Sequence, residues 1–153
     1  MAAGNSSAWS PELTLLYLIK QVELAVRSHL DETVRVSGLT ALHYTALTVL
    51  ERRPELTSAA LARNSFVRAQ TMAQMTTVLE ERGLITRKRD PDCQRQYLLS
   101  LTPEGQRILN LLREPVREIE ETMVADLTGA EAKQLREALH TCRVALGGGV
   151  RAH

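Results

Sequence analysis

Only two cysteines occur in 153 residues, which points to a reducing compartment rather than a disulfide scaffold. No apolar run approaches the roughly 20 residues that a membrane helix needs. The opening residues lack the basic and apolar regions of a secretory signal. There is no phosphate-binding glycine loop, dinucleotide fingerprint, paired-histidine metal motif or nucleophile elbow, so enzymatic chemistry finds no support. Internal repeats and low-complexity segments are also missing. These absences give the expectation of a soluble, cytoplasmic protein that is not an enzyme, with no cofactor, no bound metal and no membrane partner.

The length allows one domain, or one domain with a dimerisation extension, and is enough to bury a core. Charge is balanced overall at +1 but unevenly placed. Residues 52–95 hold nine Arg or Lys against five Asp or Glu, whereas the other 109 hold ten against thirteen. The middle of the chain therefore carries a positive field of the kind phosphate binding needs, although a solvated charged surface has the same composition.

Helical signals dominate. Ser10-Pro11 reads as an N-cap with proline at the first helical position. Leu15, Leu18, Ile19, Val22, Val26 and Leu30 then recur at helical spacing. Leu13, Leu16, Tyr17 and Leu24 widen that stripe over most of the helix girth, so the helix is expected to pack on its own domain and on a second chain. Thr40 can cap a helix to about Arg52, and Pro54 breaks it. Thr57 can cap a short helix, with Leu56 and Leu61 placed as a hydrophobic staple and Asn64-Ser65 favouring a turn. A helix over residues 68–82 follows, burying Met72, Met75, Thr76 and Leu79, and Gly83 ends it.

Leu84–Arg87 and Gln96–Leu101 read as short strands, with Tyr97, Leu99 and Leu101 on one face. The loop between them has a Pro91-Asp92 tip and carries Arg87, Lys88, Arg89 and Arg95. Thr102-Pro103 begins a helix with Ile108, Leu109, Leu112, Val116, Ile119 and Met123 inward, and Pro115 is expected to kink it. The run Thr128–Glu131 is a capping box for a last helix burying Leu135, Leu139, Cys142 and Leu146.

A short helical pair followed directly by a basic β-ribbon is the pattern of a winged helix-turn-helix, a DNA-reading unit. The outward face of the 68–82 helix holds Gln70, Ala73, Gln74 and Thr77. Gln70 and Gln74 carry the donors and acceptors that base edges require, while Thr71 and Thr77 can reach phosphates or a thymine methyl. Ala69 and Ala73 are small enough to let the helix approach the groove floor. Arg68 and Arg87 are placed to hold phosphates, Arg89 adds charge to the wing, and Arg95 can enter the narrow minor groove. A winged helix used as a protein-interaction module would be favoured by an acidic reading helix or a wing without arginine, and neither holds.

The run Leu79-Glu80, Gly83-Leu84-Ile85, Arg87, the wing ending in Arg95, and Leu101-Thr102-Pro103-Glu104-Gly105 resembles the MarR family of bacterial transcriptional regulators. The resemblance spans nearly the whole chain. It implies a mainly α fold: a winged helix-turn-helix over residues 38–102 with a two-stranded β wing, and dimerisation helices over 10–35 and 103–147. It further implies a triangular homodimer whose two 68–82 helices enter successive major grooves of a palindromic double-stranded operator. Many such proteins repress transcription until a small phenolic or other lipophilic ligand binds between the dimer region and the winged domain. Lys20, Arg27, His43 and Tyr44 are the polar candidates for that cleft. The family wing usually has an aspartate two residues before its arginine, where this chain has Cys93 beside Asp92. Relatives that sense oxidants carry a reactive cysteine in the first helix, which here has none, and Cys142 is expected to pack. His29 and His43 find no histidine on the 103–125 helix to complete a zinc site of the family's kind.

Overall fold

A computed structural model describes residues 13–147. The elements are α1 (Leu15–Val34), α2 (Ala41–Arg52), α3 (Ser58–Asn64), α4 (Ala69–Glu81), β1 (Ile85–Asp90), β2 (Cys93–Leu101), α5 (Pro103–Met123) and α6 (Gly129–Ala145), with one 3₁₀ turn at Arg35–Ser37 after α1. Ser10 and Pro11 lie outside the described residues; the described start of α1 is capped by Thr14, whose hydroxyl accepts from the Tyr17 amide.

Local chemistry explains most boundaries. Thr40 accepts from the His43 amide, and the Thr40 amide donates back to His43 Nδ1, which closes a capping box at α2. Asp31 of α1 accepts from the Ala41 amide at 2.6 Å, so α1 supplies a second cap to α2. Thr57 and Thr128 cap α3 and α6, and the Thr128–Glu131 box forms as its sequence implies. Gly83 takes φ +70, the left-handed turn after a helix that glycine adopts without strain. α5 runs uninterrupted through Pro115.

The core gathers Val34 of α1, Leu47 and Leu50 of α2, Leu61 of α3, Met72, Met75 and Leu79 of α4, Leu84, Ile85 and Leu99 of the hairpin, and Leu109 and Leu112 of α5. These side chains are almost fully removed from water, which is the main stabilising contribution in such a domain. The joint between hairpin and α5 is tight. Thr102 Oγ1 donates to the Gly83 carbonyl at 2.6 Å and accepts from the Gly105 amide at 3.0 Å. Gly105 lies so close to the Leu84 carbonyl that a Cβ there would sit 2.2 Å from the oxygen.

Both strands are longer than their sequence pattern suggests. They pair antiparallel from Ile85↔Leu101 to Asp90↔Cys93, so Arg87, Lys88, Arg89 and Arg95 lie on strands rather than in a loop. The loop is only the Pro91-Asp92 tip. Alternation failed as a guide because the outer hairpin is exposed on both faces. The Leu56 and Leu99 backbones exchange two hydrogen bonds, at 3.1 and 2.7 Å, which adds a third, one-residue rung to the sheet.

A second correction concerns α6. Leu135, Leu139, Cys142 and Leu146 are all exposed, and no residue of α6 is buried. Its apolar stripe is real, but nothing among the described residues covers it. Much of the α1 stripe, including Leu15, Leu16, Ile19 and Val22, is likewise exposed.

Candidate nucleic-acid interface

The exposed face of α4 follows from its burial pattern. Met72, Met75, Thr76 and Leu79 anchor one side, which leaves Gln70, Ala73, Gln74 and Thr77 exposed on the other. Arg68 is exposed at the N-cap, one residue before the helix, and makes no side-chain cap. Its side chain is therefore not tied to the helix's own amides at the N-terminal end of α4. Thr71 is half-buried. Thr77 donates its hydroxyl proton to the Ala73 carbonyl at 3.1 Å, so its outward chemistry is a methyl group and an acceptor.

In the wing, Arg87 and Arg89 lie on one face of β1 and both stack on Tyr97 of β2, each 5.3 Å from the ring centroid. Arg87 also pairs with Glu80 at the end of α4, 3.3 Å away. Beyond the Arg89↔Tyr97 pair the register slips: Asp90 faces Cys93, and Gln94, Arg95 and Gln96 have no opposing residue. Bulges of this kind re-aim a side chain. Arg89 Nη1 donates to the Gln94 carbonyl at 2.6 Å and fills the irregularity, while Arg95 is exposed and has no ion-pair partner among the described residues. Asp92, next to Cys93, lies at the hairpin tip. Its backbone amide is engaged by the Asp90 carboxylate at 2.9 Å, and neither aspartate pairs with Arg95 among the described residues.

A groove between α3, α4 and the hairpin is lined by Arg63, Ala73, Thr77, Arg87, Gln96 and Tyr97. Sequence reasoning missed Arg63, Gln96 and Tyr97 as members of this surface. The cross-strand pairing of Arg89 with Tyr97 becomes readable only once the hairpin register is known.

The four ligand-cleft candidates divide among separate environments. Lys20 and Arg27 both pair with Glu23 on their own helix. His43 is half-buried in the α2 capping box, and burial together with nearby Arg82 holds its pKa below the ordinary value. Tyr44 is half-buried, with Glu51 and Arg113 in its electrostatic surroundings, and burial pushes its pKa up. Cys93 is half-buried, and both cysteines are free thiols. Among the described residues no group of three or more His, Cys, Asp or Glu is arranged to hold a metal ion.

Known proteins with this pattern settle its kinship. A family model described as MarR family matches residues 37–96, from the end of the 3₁₀ turn after α1 to the bulge of the wing. The organic hydroperoxide resistance transcriptional regulator of Bacillus subtilis is 33% identical over 106 residues, covering 68% of this chain and 69% of its own. The chain belongs to the MarR family. A crystal structure of MarR superposes with a TM-score of 0.80 at 27% identity, covering 93% of this chain and 95% of that one. The Staphylococcus aureus MepR–DNA complex shares the fold with a TM-score of 0.77 at 22% identity, covering 88% of this chain and 99% of its own. MarR proteins are DNA-binding transcriptional regulators and not enzymes. No described helix of this member is long and apolar enough to cross a membrane.

Proposed function

We propose that this MarR-family protein is a cytoplasmic homodimeric repressor that binds a palindromic operator and is released by a small lipophilic or phenolic ligand. The observation that carries the reading is the exposed Gln70–Ala73–Gln74–Thr77 face of α4 beside a wing that displays Arg87, Arg89 and Arg95 on one hairpin. Gln70 and Gln74 specify bases, Ala73 permits close approach, and Thr71 and Thr77 contact backbone or a thymine methyl. Arg68, Arg87 and Arg89 hold phosphates, and Arg95 reads the minor groove. The S. aureus relative, solved with DNA, has the same fold and so the same elements available for docking.

Dimerisation through 10–35 and 103–147 is supported by the uncovered stripes of α1 and α6. Between α5 and α6 lies a cleft lined by Met123, Val124, Leu135 and Leu139, and apolar surface of that kind is costly to leave in water. The ligand component rests on the family resemblance, with Lys20, Arg27, His43 and Tyr44 as its polar candidates.

The test is footprinting of purified protein on DNA flanking its own gene, together with sedimentation and repetition with phenolic compounds. Two protected half-sites about one helical turn, or roughly 10 base pairs, apart are expected from a sedimenting dimer. A stable monomer at micromolar concentration, or protection of one half-site indifferent to the other, overturns the dimeric operator. Protection unchanged by every phenol removes the ligand clause.

A further inference from the structure

We infer that Phe66, in the turn between α3 and α4, is a DNA-contacting residue that lays an apolar ring on the nucleic acid beside the arginine contacts. This rests on the DNA-binding reading above and adds a contact of a different chemical kind.

Two independent features single out this side chain. Phe66 has φ +59, one of only two positive values at non-glycine residues among those described. An L-residue with a bulky side chain is strained there, and glycine or asparagine would fit better. Phe66 is also 84% exposed, although it is the only phenylalanine in the chain. Glu55, the other such residue, carries a charge that water solvates, so it has only the backbone cost. Phe66 has both costs and no compensating burial. Backbone strain concentrated at one exposed position is commonly part of a working surface.

Location indicates what that surface meets. The Phe66 amide reaches back to the Arg63 carbonyl at 3.5 Å, and the Val67 amide to the Ala62 carbonyl at 3.1 Å, so the turn is pinned from α3. The neighbouring Ser65 is buried, and its backbone amide is bonded to Leu61. The turn therefore holds the ring outward at the N-terminal end of α4, between exposed Arg63 and Arg68. A partner that approaches this end carries negative charge to satisfy those two arginines and an apolar surface for the ring. Duplex DNA offers both, because phosphates alternate with deoxyribose faces and thymine methyls line the major groove. An acidic protein partner would leave the adjacent Gln70 and Gln74 without a matching function.

The experiment compares Phe66→Gly, Phe66→Asn and Phe66→Tyr with the parent. Denaturant midpoints and affinity for the footprinted DNA are measured at several salt concentrations. Both Gly and Asn relieve the positive-φ strain, so their midpoints stay equal or rise. Their DNA affinity falls about tenfold or more, as for loss of a buried aromatic contact. The salt slope stays that of the parent, because no phosphate contact is lost. Phe66→Tyr, which keeps the ring, binds like the parent. Asparagine keeps the turn as constrained as the parent, so weakening in that variant cannot come from a loosened backbone. Parent-like DNA affinity in the Gly and Asn variants overturns the inference, as does a lowered midpoint in both, which would make Phe66 a packing residue. If the parent protein itself binds no duplex, the DNA-binding reading fails and this contact falls with it; parent binding with indifferent variants sinks this contact alone.

Discussion

The Arg82 guanidinium, at the C-cap of α4, donates to the Gly38 carbonyl at 3.1 Å and also to the Ser37 carbonyl. It thereby ties the C-terminal end of α4 to the turn that follows α1. Replacing Arg82 by Ala is expected to lower unfolding free energy by about 1 kcal/mol, the value of exposed hydrogen bonds rather than buried ones. Thermal melts check this. A melt identical to the parent's would show that the two carbonyls are equally well served by water.

The same arginine bears on pH. Burial, and then the Arg82 charge, lower the pKa of His43 from the ordinary 6.5. The neutral ring is also the form whose Nδ1 accepts from the Thr40 amide. Because the folded value lies below the unfolded one, the unfolded chain binds the proton more readily. The contribution of His43 is therefore fully present above about pH 6.5 and is lost as pH falls toward the folded value. His43→Gln keeps a capping-box side chain but removes the titration. Stability of the parent minus that of this variant, followed by urea unfolding from about pH 8 to pH 5, should decline toward acid. A difference independent of pH would refute the assignment.

Gly105→Ala should destabilise by roughly 1–3 kcal/mol or more, the range for overpacked sites. The new Cβ would lie 2.2 Å from the Leu84 oxygen and 2.7 Å from Leu101 Cδ1. The Leu84 carbonyl has little freedom to retreat, since the Thr102 amide donates to it. Denaturant titration with an unchanged midpoint would mean that the hairpin–α5 joint is looser than its geometry.

Arg95 and Gln74 should separate two modes of DNA contact. Arg95→Ala is expected to weaken binding to operator and random DNA alike and to reduce the salt slope by about 1, with no loss of fold. Gln74→Ala should instead relax discrimination at one base position by about 1–3 kcal/mol at nearly constant slope. Titrations of both variants on both DNAs decide the matter. An Arg95→Ala protein that binds as the parent does at every salt concentration would remove the wing from the interface.

The elements most legible in the sequence were those written in neighbouring residues. Thr40, Thr57 and Thr128 announce helix starts because their hydroxyls meet amides three residues on, and Gly83 announces a stop through its left-handed turn. The buried side of α4 was equally readable from helical spacing. The hairpin was read too short because Arg87, Lys88, Arg89 and Arg95 obscure strand alternation where both faces meet water. The stripe of Leu135, Leu139 and Leu146 was recognised as apolar, but periodicity does not say what will cover it. Tyr97 between two guanidiniums, Arg82 on Gly38 and the φ of Phe66 each depend on contacts or conformations set by the fold, beyond the reach of spacing arguments.

The rung between Leu56 and Leu99 gives the wing the mechanics of a cantilever. Its root is clamped by a strand on one side and by the α2–α3 segment on the other, while the unopposed stretch Gln94–Gln96 forms a wrist close to the free end. A beam held this way bends at its wrist and not at its root. Under the DNA-binding mode proposed above, the hairpin tip can then follow a minor groove of variable width while α4 stays seated in the adjoining major groove.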